Sequence, residues 1–553
     1  MLNYRFLKKT VPFLFFFILL LASSCESAAR QAKKLMNEKR NKNLFLSISA
    51  DVMSLDPRYG ADGTSSQVIK MLFEGLMYND SDGKVSPAIA ESFEVSPDKK
   101  SYLFTLRECQ WSNGIDVTAY DFEYAWKSVV DLNNKQASMA AHNFFILKNV
   151  LKYRSQECDL DQIGVRALDA RTLKVELENP IPYFLEALTN TWFFPVCKMV
   201  DQNAKIWNKE IGKGFVCNGP FQPVEHKLDY KIVMEKNPLF WDACNVQLSK
   251  INIFIIKDAM TRFCLFEKGR IDWLGKPLSG LPLDACAILR KEKKINLSPS
   301  LGVYWYFFNT ERFPFTNKNM RKAFAFAVNR TEITEFMLQS DEEPADSILP
   351  LAYGVNQKKY FDENSLSKAR EYFDIGLIEL GIKKENLPEL TISYNTDEIH
   401  QNVAQIIQQQ IYEVLGVKLK LRHVDWRIHY ANLIQGDFCI GGMMWHSWIR
   451  DPIYILQTFK DHDDGINMAR WYNEKFKQLL WLSDKEVNLS KRKKLLSEAL
   501  DVLMEEMPVI PIYFTSIAYG KAENLKNAIV LENSMLDFRH AYFSETEQTH
   551  PSN

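Results

Sequence analysis

The 553-residue sequence has almost no excess of charge of either sign. Its 68 Lys and Arg stand against 69 Asp and Glu, a net charge of −1. That excludes a nucleic-acid binder relying on overall charge, though not a local basic patch. No apolar run reaches the roughly 20 residues that a spanning helix needs. There is no C-x-x-C, so neither a zinc ribbon nor a redox motif is indicated. G-x-S-x-G, H-E-x-x-H, the Walker loop and the Rossmann glycine fingerprint are all missing, which leaves enzymatic chemistry without a local signature. A triad assembled from distant residues stays open but has no motif behind it. Internal repeats, low-complexity runs and a long Pro/Gly-rich linker within 44–543 are missing too. What is present is core: 46% hydrophobic and 25% charged residues, values that exclude wholesale disorder, collagen and a multi-span membrane protein. The length sets a prior of two to four domains. Aromatics are 13% of the chain, which composition alone reads as a large core; the sharper reading is a ligand cavity walled by rings.

The first residues form a targeting segment. Arg5, Lys8 and Lys9 precede an apolar run from Val11 to Leu21, followed by Ala22, Ser23, Ser24 and Cys25. A positive region, a short apolar stretch and small residues make a secretory signal. The cysteine after small residues resembles the bacterial lipoprotein signal, whose Cys is lipidated and becomes residue one of the mature protein. The match departs at Ala22, where that signal usually has Leu. Plain signal cleavage with an incidental Cys25 is the alternative. Residues 26–43 are mostly polar and read as a tether with too little apolar surface to fold. The expected division is therefore 1–24 signal, 25–43 lipid-anchored tether, and a folded body beyond.

Eight further cysteines (Cys109, Cys158, Cys197, Cys217, Cys244, Cys264, Cys286 and Cys439) would allow about 105 pairings if oxidised, so none is assigned; buried thiols are the expectation for most. Strands are expected at 44–48, 102–106, 173–177, 230–234, 251–256, 304–308, 390–394 and 417–421, several with the two-residue period of a half-buried strand. Thr118-x-x-Asp121 reads as a capping box opening a helix through Val130. Val403, Ile407, Ile411 and Leu415 mark a helix stopped by Gly416; Met320, Phe324 and Val328 repeat that spacing, and 491–504 is a helix closed by Pro508. The class is mixed α/β, with domains that abut or a chain that crosses between lobes more than once.

An ordered set of motifs then accumulates. It runs Ser54-Leu-Asp-Pro57, Leu72-Phe-Glu-Gly-Leu76, Pro87-Ala-Ile-Ala-Glu-Ser92, Tyr102-x-Phe-x-Leu-Arg107 and Trp111-Ser-Asn-Gly114. Val117-Thr-Ala-x-Asp-Phe122, Pro180-x-Pro-Tyr-Phe184, Asn218-Gly-Pro-Phe221 and Phe308-Asn-Thr310 follow, then Arg321-x-Ala-Phe324, Tyr394-Asn-Thr396 and Met507-Pro-x-Ile-Pro-Ile-Tyr513. Taken in order they resemble the peptide/nickel class of extracellular solute-binding proteins, most of all the oligopeptide-binding lipoproteins of bacterial ABC importers. The resemblance covers nearly all of 44–543. Asn113-Gly114 and Asn218-Gly219 supply residues that tolerate positive φ at turns. Arg107, at a strand end, reads equally as a surface ion pair.

The resemblance implies an α/β periplasmic binding protein-like fold, two large lobes closing on a cleft plus a smaller third lobe. Lobe I would comprise 44–75, 200–300 and 515–553, lobe II 76–199 and lobe III 301–514. It implies a monomer that performs no covalent chemistry, needs no cofactor or metal, binds no nucleic acid, and hands a peptide to the permease subunits of an ABC transporter. Its place would be the periplasmic face of the bacterial cell envelope, held to the membrane by Cys25.

Pocket residues carry over in part. His400 matches the family's ligand-facing His after an Asn-Thr motif, and Trp426 and Trp445 match two cavity tryptophans, whose flat rings accept many side chains. Ligand backbone would pair near Ala61, Asp62 and Gly63 and with Met443–Trp445, Met444 included, reading no side-chain identity. The family places an Asp for the ligand's α-ammonium where this chain has Trp448. A free-amine peptide then needs another anchor: Asp451, Asp437 or a cation–π face of Trp448. Two family Arg positions appear as Leu433 and Gly442, two Tyr positions as Ser138 and Thr515, and the two cysteines of an interlobe disulfide as Gly302 and His446. The alternatives are a carrier of a non-standard ligand (an N-blocked or cell-wall peptide, a metal chelate or haem), a peptide-sensing module without transport, and a secreted hydrolase. His400, His423, His429 and His446 fit no metal spacing.

Overall fold

The computed structural model describes residues 42–59, 62–80, 82–134, 140–203, 207, 211, 214–338, 342–355, 358–362, 365–462 and 466–544. Cys25, Ala61 and residues 1–41, which include the expected signal and most of the tether, lie outside the described residues.

Apolar alternation and β-branched residues build three principal sheets. One has the order Asn43–Ile48, Lys250–Ile255, Lys231–Lys236, Phe221–Lys227; its first pair is parallel and the others antiparallel. A second is antiparallel throughout, in the order Ala90–Val95, Ser101–Leu106, Thr172–Glu176, Val165–Ala167. The third has seven strands along Trp273–Gly275, Val509–Lys521, Asn296–Phe308, Ile440–His446, Leu390–Asn395 and Leu419–Val424, with Glu343–Pro344 on the 509–521 strand. The helix Glu398–Leu415 connects the parallel pair 390–395 and 419–424, as parallel pairing requires.

Two large hydrophobic cores and two small clusters result among the described residues. The first takes its buried residues from 44–278, Ile449 and 525–541; the second takes them from 301–514. Tyr183 packs against both. The expected lobe boundaries at 300/301 and 514/515 fall inside the two longest strands, 296–308 and 509–521. These pair antiparallel, with a register shift between Pro299 and Val303. Tyr304, Trp305, Tyr306, Phe307 and Phe308 are all fully buried, so both faces of this strand are covered.

Several expectations shift. The strand expected at 417–421 runs from Leu419 to Val424, that at 304–308 begins at Asn296, and Val328 lies beyond the helix Lys318–Phe326. The capping box at Thr118 and Asp121 is present, and Gly416 caps its helix at φ +66°. The 491–504 helix extends over Leu489–Glu506, with Met507 in the left-handed region before Pro508. No disulfide links the eight described cysteines. Only Cys197, Cys217 and Cys286 are buried, while Cys244 and Cys264 are exposed. Gly114 has φ +85°, as its turn predicts, but Gly219 does not have positive φ. A Cβ at Gly219 would meet the Leu72 and Phe73 backbone at 2.5–2.6 Å, so close approach is the reason for glycine there. Arg107 is not a surface ion pair: its guanidinium lies 3.7 Å over the Trp241 ring.

The motif residues mostly hold the fold together. The Asn218 side chain brackets the Glu74 backbone, accepting from its N–H and donating to its C=O, both at 3.0 Å. The buried Glu74 carboxylate takes Arg539 and the Trp241 indole N–H. Asn309 donates to the Gly436 carbonyl, and Arg321 to those of Phe315 and Glu506.

Candidate functional site

The 296–308 and 440–446 strands pair directly, with Gly302 opposite His446, Tyr304 opposite Met444 and Tyr306 opposite Gly442. Side chains alternate across a strand, so these six positions share one face. Tyr304 is the centre of that face. Its ring is stacked between His400 (4.7 Å, 15°) and Tyr513 (5.2 Å, 16°), and it meets Tyr306 edge-on at 5.5 Å. A Cβ at Gly442 would lie 2.6–2.7 Å from Tyr306 and the Tyr304 hydroxyl. Gly442 therefore makes room for the tyrosines, and Leu433 is fully buried in the core behind it.

His400 opens the helix 398–415. Asp397 caps its backbone N–H, and its ring Nδ1 is 2.7 Å from Asn395 Oδ1. Burial, only partly opposed by Asp397, holds its pKa below the usual histidine range, so the ring is neutral at pH 7. Met444 is 38% exposed at the edge of this face. On the opposite face Trp445 stacks on the buried Trp305 at 6.0 Å and 19°.

Beyond the 440–446 strand the chain turns towards the first core. Trp448 meets Trp192 edge-on at 5.4 Å, and Ile449 is buried in that core. The Arg450 backbone N–H donates to Glu186, and the Arg450 Nε lies 2.9 Å from Glu532 Oε2. Asn533 Nδ2 donates to the Trp448 carbonyl at 3.2 Å, and Leu301 N–H donates to the Glu532 carbonyl. Asp62 caps the helix Gly63–Leu72 through Ser65 N–H. Gln67 of that helix bonds the backbone of Ser534 and Leu536, next to the 532–533 turn. Segments 62–67, 183–192, 445–451 and 532–536 thus converge. Buried polar atoms without a hydrogen-bond partner gather there: Asp62 Oδ2, Trp305 Nε1, Trp445 Nε1, His446 Nε2, Glu532 Oε2 and Asn533 Oδ1. Such atoms cost about 1–3 kcal/mol each unless something pairs with them.

The structure thus joins His400 to Met444 through Tyr304, and brings Trp445, Trp448 and the Asp62–Gly63 helix start towards one junction. Trp426 stands apart, 45% exposed on the helix Trp426–Gln435 and against Tyr430. Its link to the strand is His429, whose Nε2 is 2.7 Å from the Gly442 carbonyl. Two candidate anchors are corrected. Asp451 forms a buried two-point pair with Arg492 at 2.7 and 3.0 Å, and Asp437 is paired with Arg312 and Arg422 at 3.2 and 3.1 Å. Trp448 offers its face to no cation among the described residues; its neighbour is Trp192. The four histidines do not assemble a metal site, and no group of three metal-ligating side chains occurs among the described residues. Sequence reading missed Tyr304, Tyr306, Glu186, Trp192, Glu532 and Asn533. The Tyr-x-Tyr alternation in a strand was a usable signal; the turn at 532–533 carried none.

Comparison with known proteins accords with this geometry. A family model described as bacterial extracellular solute-binding proteins, family 5 middle, matches residues 84–467. The oligopeptide-binding protein OppA of Bacillus subtilis is 37% identical, covering 92% of this chain and 94% of that protein. The dipeptide-binding protein DppE of the same organism is 34% identical, covering 90% and 92%. Among solved structures, Haemophilus influenzae OppA in complex with the peptide RPPGFSPFR superposes with a TM-score of 0.79 at 25% identity, covering 91% of this chain and 99% of that one. The Escherichia coli murein tripeptide-binding protein MppA gives 0.78 at 27% identity, covering 91% and 99%.

Proposed function

The chain belongs to family 5 of the bacterial extracellular solute-binding proteins, and from that premise we propose that it captures peptides and delivers them to the permease of an ABC importer. The observation that carries the reading is the junction itself. Segments from both cores meet around Trp445 and Trp448, and bring with them buried donors and acceptors that have no hydrogen-bond partner among the described residues. A peptide backbone supplies both kinds of group without reading side-chain identity. The relatives named for oligopeptides and dipeptides, and the peptide complex among the similar structures, support the same ligand class.

In this reading the lobes are 44–75, 200–300 and 515–553 (I), 76–199 (II) and 301–514 (III). Closure turns on the paired strands 296–308 and 509–521, and the ligand contacts His400, Trp426, Met444, Trp445, Trp448 and the segment Ala61–Gly63. The protein binds and releases as a monomer without covalent chemistry. Cys25 carries the lipid that keeps it at the membrane, on the periplasmic face, each buried CH₂ adding roughly 0.8 kcal/mol. No helix among the described residues is long and apolar enough to cross a membrane.

Native mass spectrometry of residues 26–553, purified from a rich cytoplasm, tests the ligand class. A ladder of bound peptide masses is expected. A single non-peptide mass, or an empty protein that also ignores added peptides, overturns the reading. Conversion of Cys25 to Ala is expected to release the exported protein from the membrane fraction.

A further inference from the structure

This inference rests on the peptide reading and concerns where the ligand's amino terminus is held. Trp448 cannot take an ammonium by charge, and Asp451 and Asp437 already face arginines. One carboxylate linked to Trp448 through its neighbour is Glu532. Its neighbour Asn533 is bonded to the Trp448 carbonyl, and its own carbonyl accepts from Leu301, beside the Gly302–His446 pair. Two acceptor atoms here are buried and lack a hydrogen bond among the described residues: Glu532 Oε2 and Asn533 Oδ1. Asn533 spends its donor on Trp448, which leaves its oxygen as the free end. An ammonium has three N–H donors and no acceptor, and so complements an acceptor-only set.

The charge inventory points the same way. The Arg450 guanidinium faces Glu532, while Glu186 takes the Arg450 backbone N–H; Asp451 is neutralised by Arg492, and Lys276 is held by the Ser516 carbonyl and lies 3.8 Å from Glu342. The Arg450 side chain is about half exposed, and its Nε approaches Glu532 off the hydrogen-bond axis, the kind of ion pair that contributes little. We propose that Glu532, with the Asn533 amide oxygen, receives the α-ammonium of a free-amine peptide, an acid supplied from the C-terminal segment in place of one at position 448. Arg450 swings towards solvent as the ammonium enters.

The test is calorimetric titration of the full chain in detergent, stripped of co-purified ligand, with trialanine and with N-acetyl-trialanine. Wild type is expected to prefer the free amine by about 30-fold or more, the effect of one buried charge partner. Glu532→Gln is expected to collapse that preference to within about threefold, and Asn533→Ala to reduce it. A structural defect would weaken both peptides equally and leave the ratio unchanged, which overturns the assignment; so does a ratio unaltered by either substitution. Wild type that binds both peptides equally overturns the ammonium site alone. Wild type that binds neither overturns the peptide reading and this site with it.

Discussion

Gly302 and His446 stand directly opposite each other on the paired strands 296–308 and 440–446, and the imidazole fills the space that a side chain at 302 would need. A Cβ built on Gly302 comes within 2.5 Å of His446 Nδ1 and 2.3 Å of Thr515 Oγ1. Gly302→Ala is therefore expected to destabilise the protein by about 1–3 kcal/mol, the usual cost of overpacking. Urea unfolding with an unchanged m value would show it. An unaltered midpoint would mean that the ring and hydroxyl move aside freely.

Arg492 and Asp451 form the buried pair that closes off one candidate anchor. Removing only the cation leaves a carboxylate stranded in a low-dielectric site. Arg492→Met is expected to cost about 3–5 kcal/mol, and the double variant with Asp451→Asn to recover much of that. A double-mutant cycle by thermal or denaturant unfolding checks it; additive losses would show that the two residues act independently.

Glu186 gives the contact between the 183–192 segment and Arg450 a pH dependence. Burial, with lesser repulsion from Asp451 and Glu532, raises its carboxyl to about 7, against the opposing Arg450 N–H bond and guanidinium. The unfolded chain loses this proton near pH 4.5, so the stability it contributes is full below that pH. It is lost as pH rises to about 7 and is constant beyond. The loss is at most about 3 kcal/mol. His446, buried and lowered to about 4, slopes the other way as pH falls below 6.5. The measurement is therefore a difference: the gap in unfolding free energy between wild type and Glu186→Gln should widen in the variant's favour from pH 4.5 to 7. A constant gap would refute it.

The His400 ring stacks on Tyr304, while the cap of its own helix is made by Asp397 to the backbone N–H. His400→Ala should lower the thermal midpoint by no more than a few degrees. Loss of the ring stack should lower peptide affinity by about 3–10-fold, in line with 0.5–1.5 kcal/mol for such a contact. Titration calorimetry reads the affinity, and a large fall in the midpoint would assign the stack to the core alone.

Local signals were read well where the chain's own neighbours decide the outcome. The Thr118 capping box needs Asp121 three residues on, the Gly416 stop needs only a positive φ, and the 390–395 strand needs only its apolar run. The ordered motifs identified the family because they fix the frame: Asn218 on Glu74, Asn309 on Gly436, Arg321 on Glu506. The junction was less legible. His400, Met444, Trp445 and Trp448 were named from matching positions, but their partners Tyr304, Trp305 and Trp192 lie about 100 to 250 residues away, too far for periodicity to connect.

The sequence by itself determined the class of fold, the absence of any catalytic signature and the family, since each depends on residue type, order or short spacing. Only the tertiary structure decided which polar groups are already satisfied. Asp451 and Asp437 looked available until Arg492, Arg312 and Arg422 were seen beside them, and Glu532 carried no signal until its turn was seen against Trp448. The physical reason is that a charge's availability is set by what long-range folding packs around it, and burial makes that packing decisive.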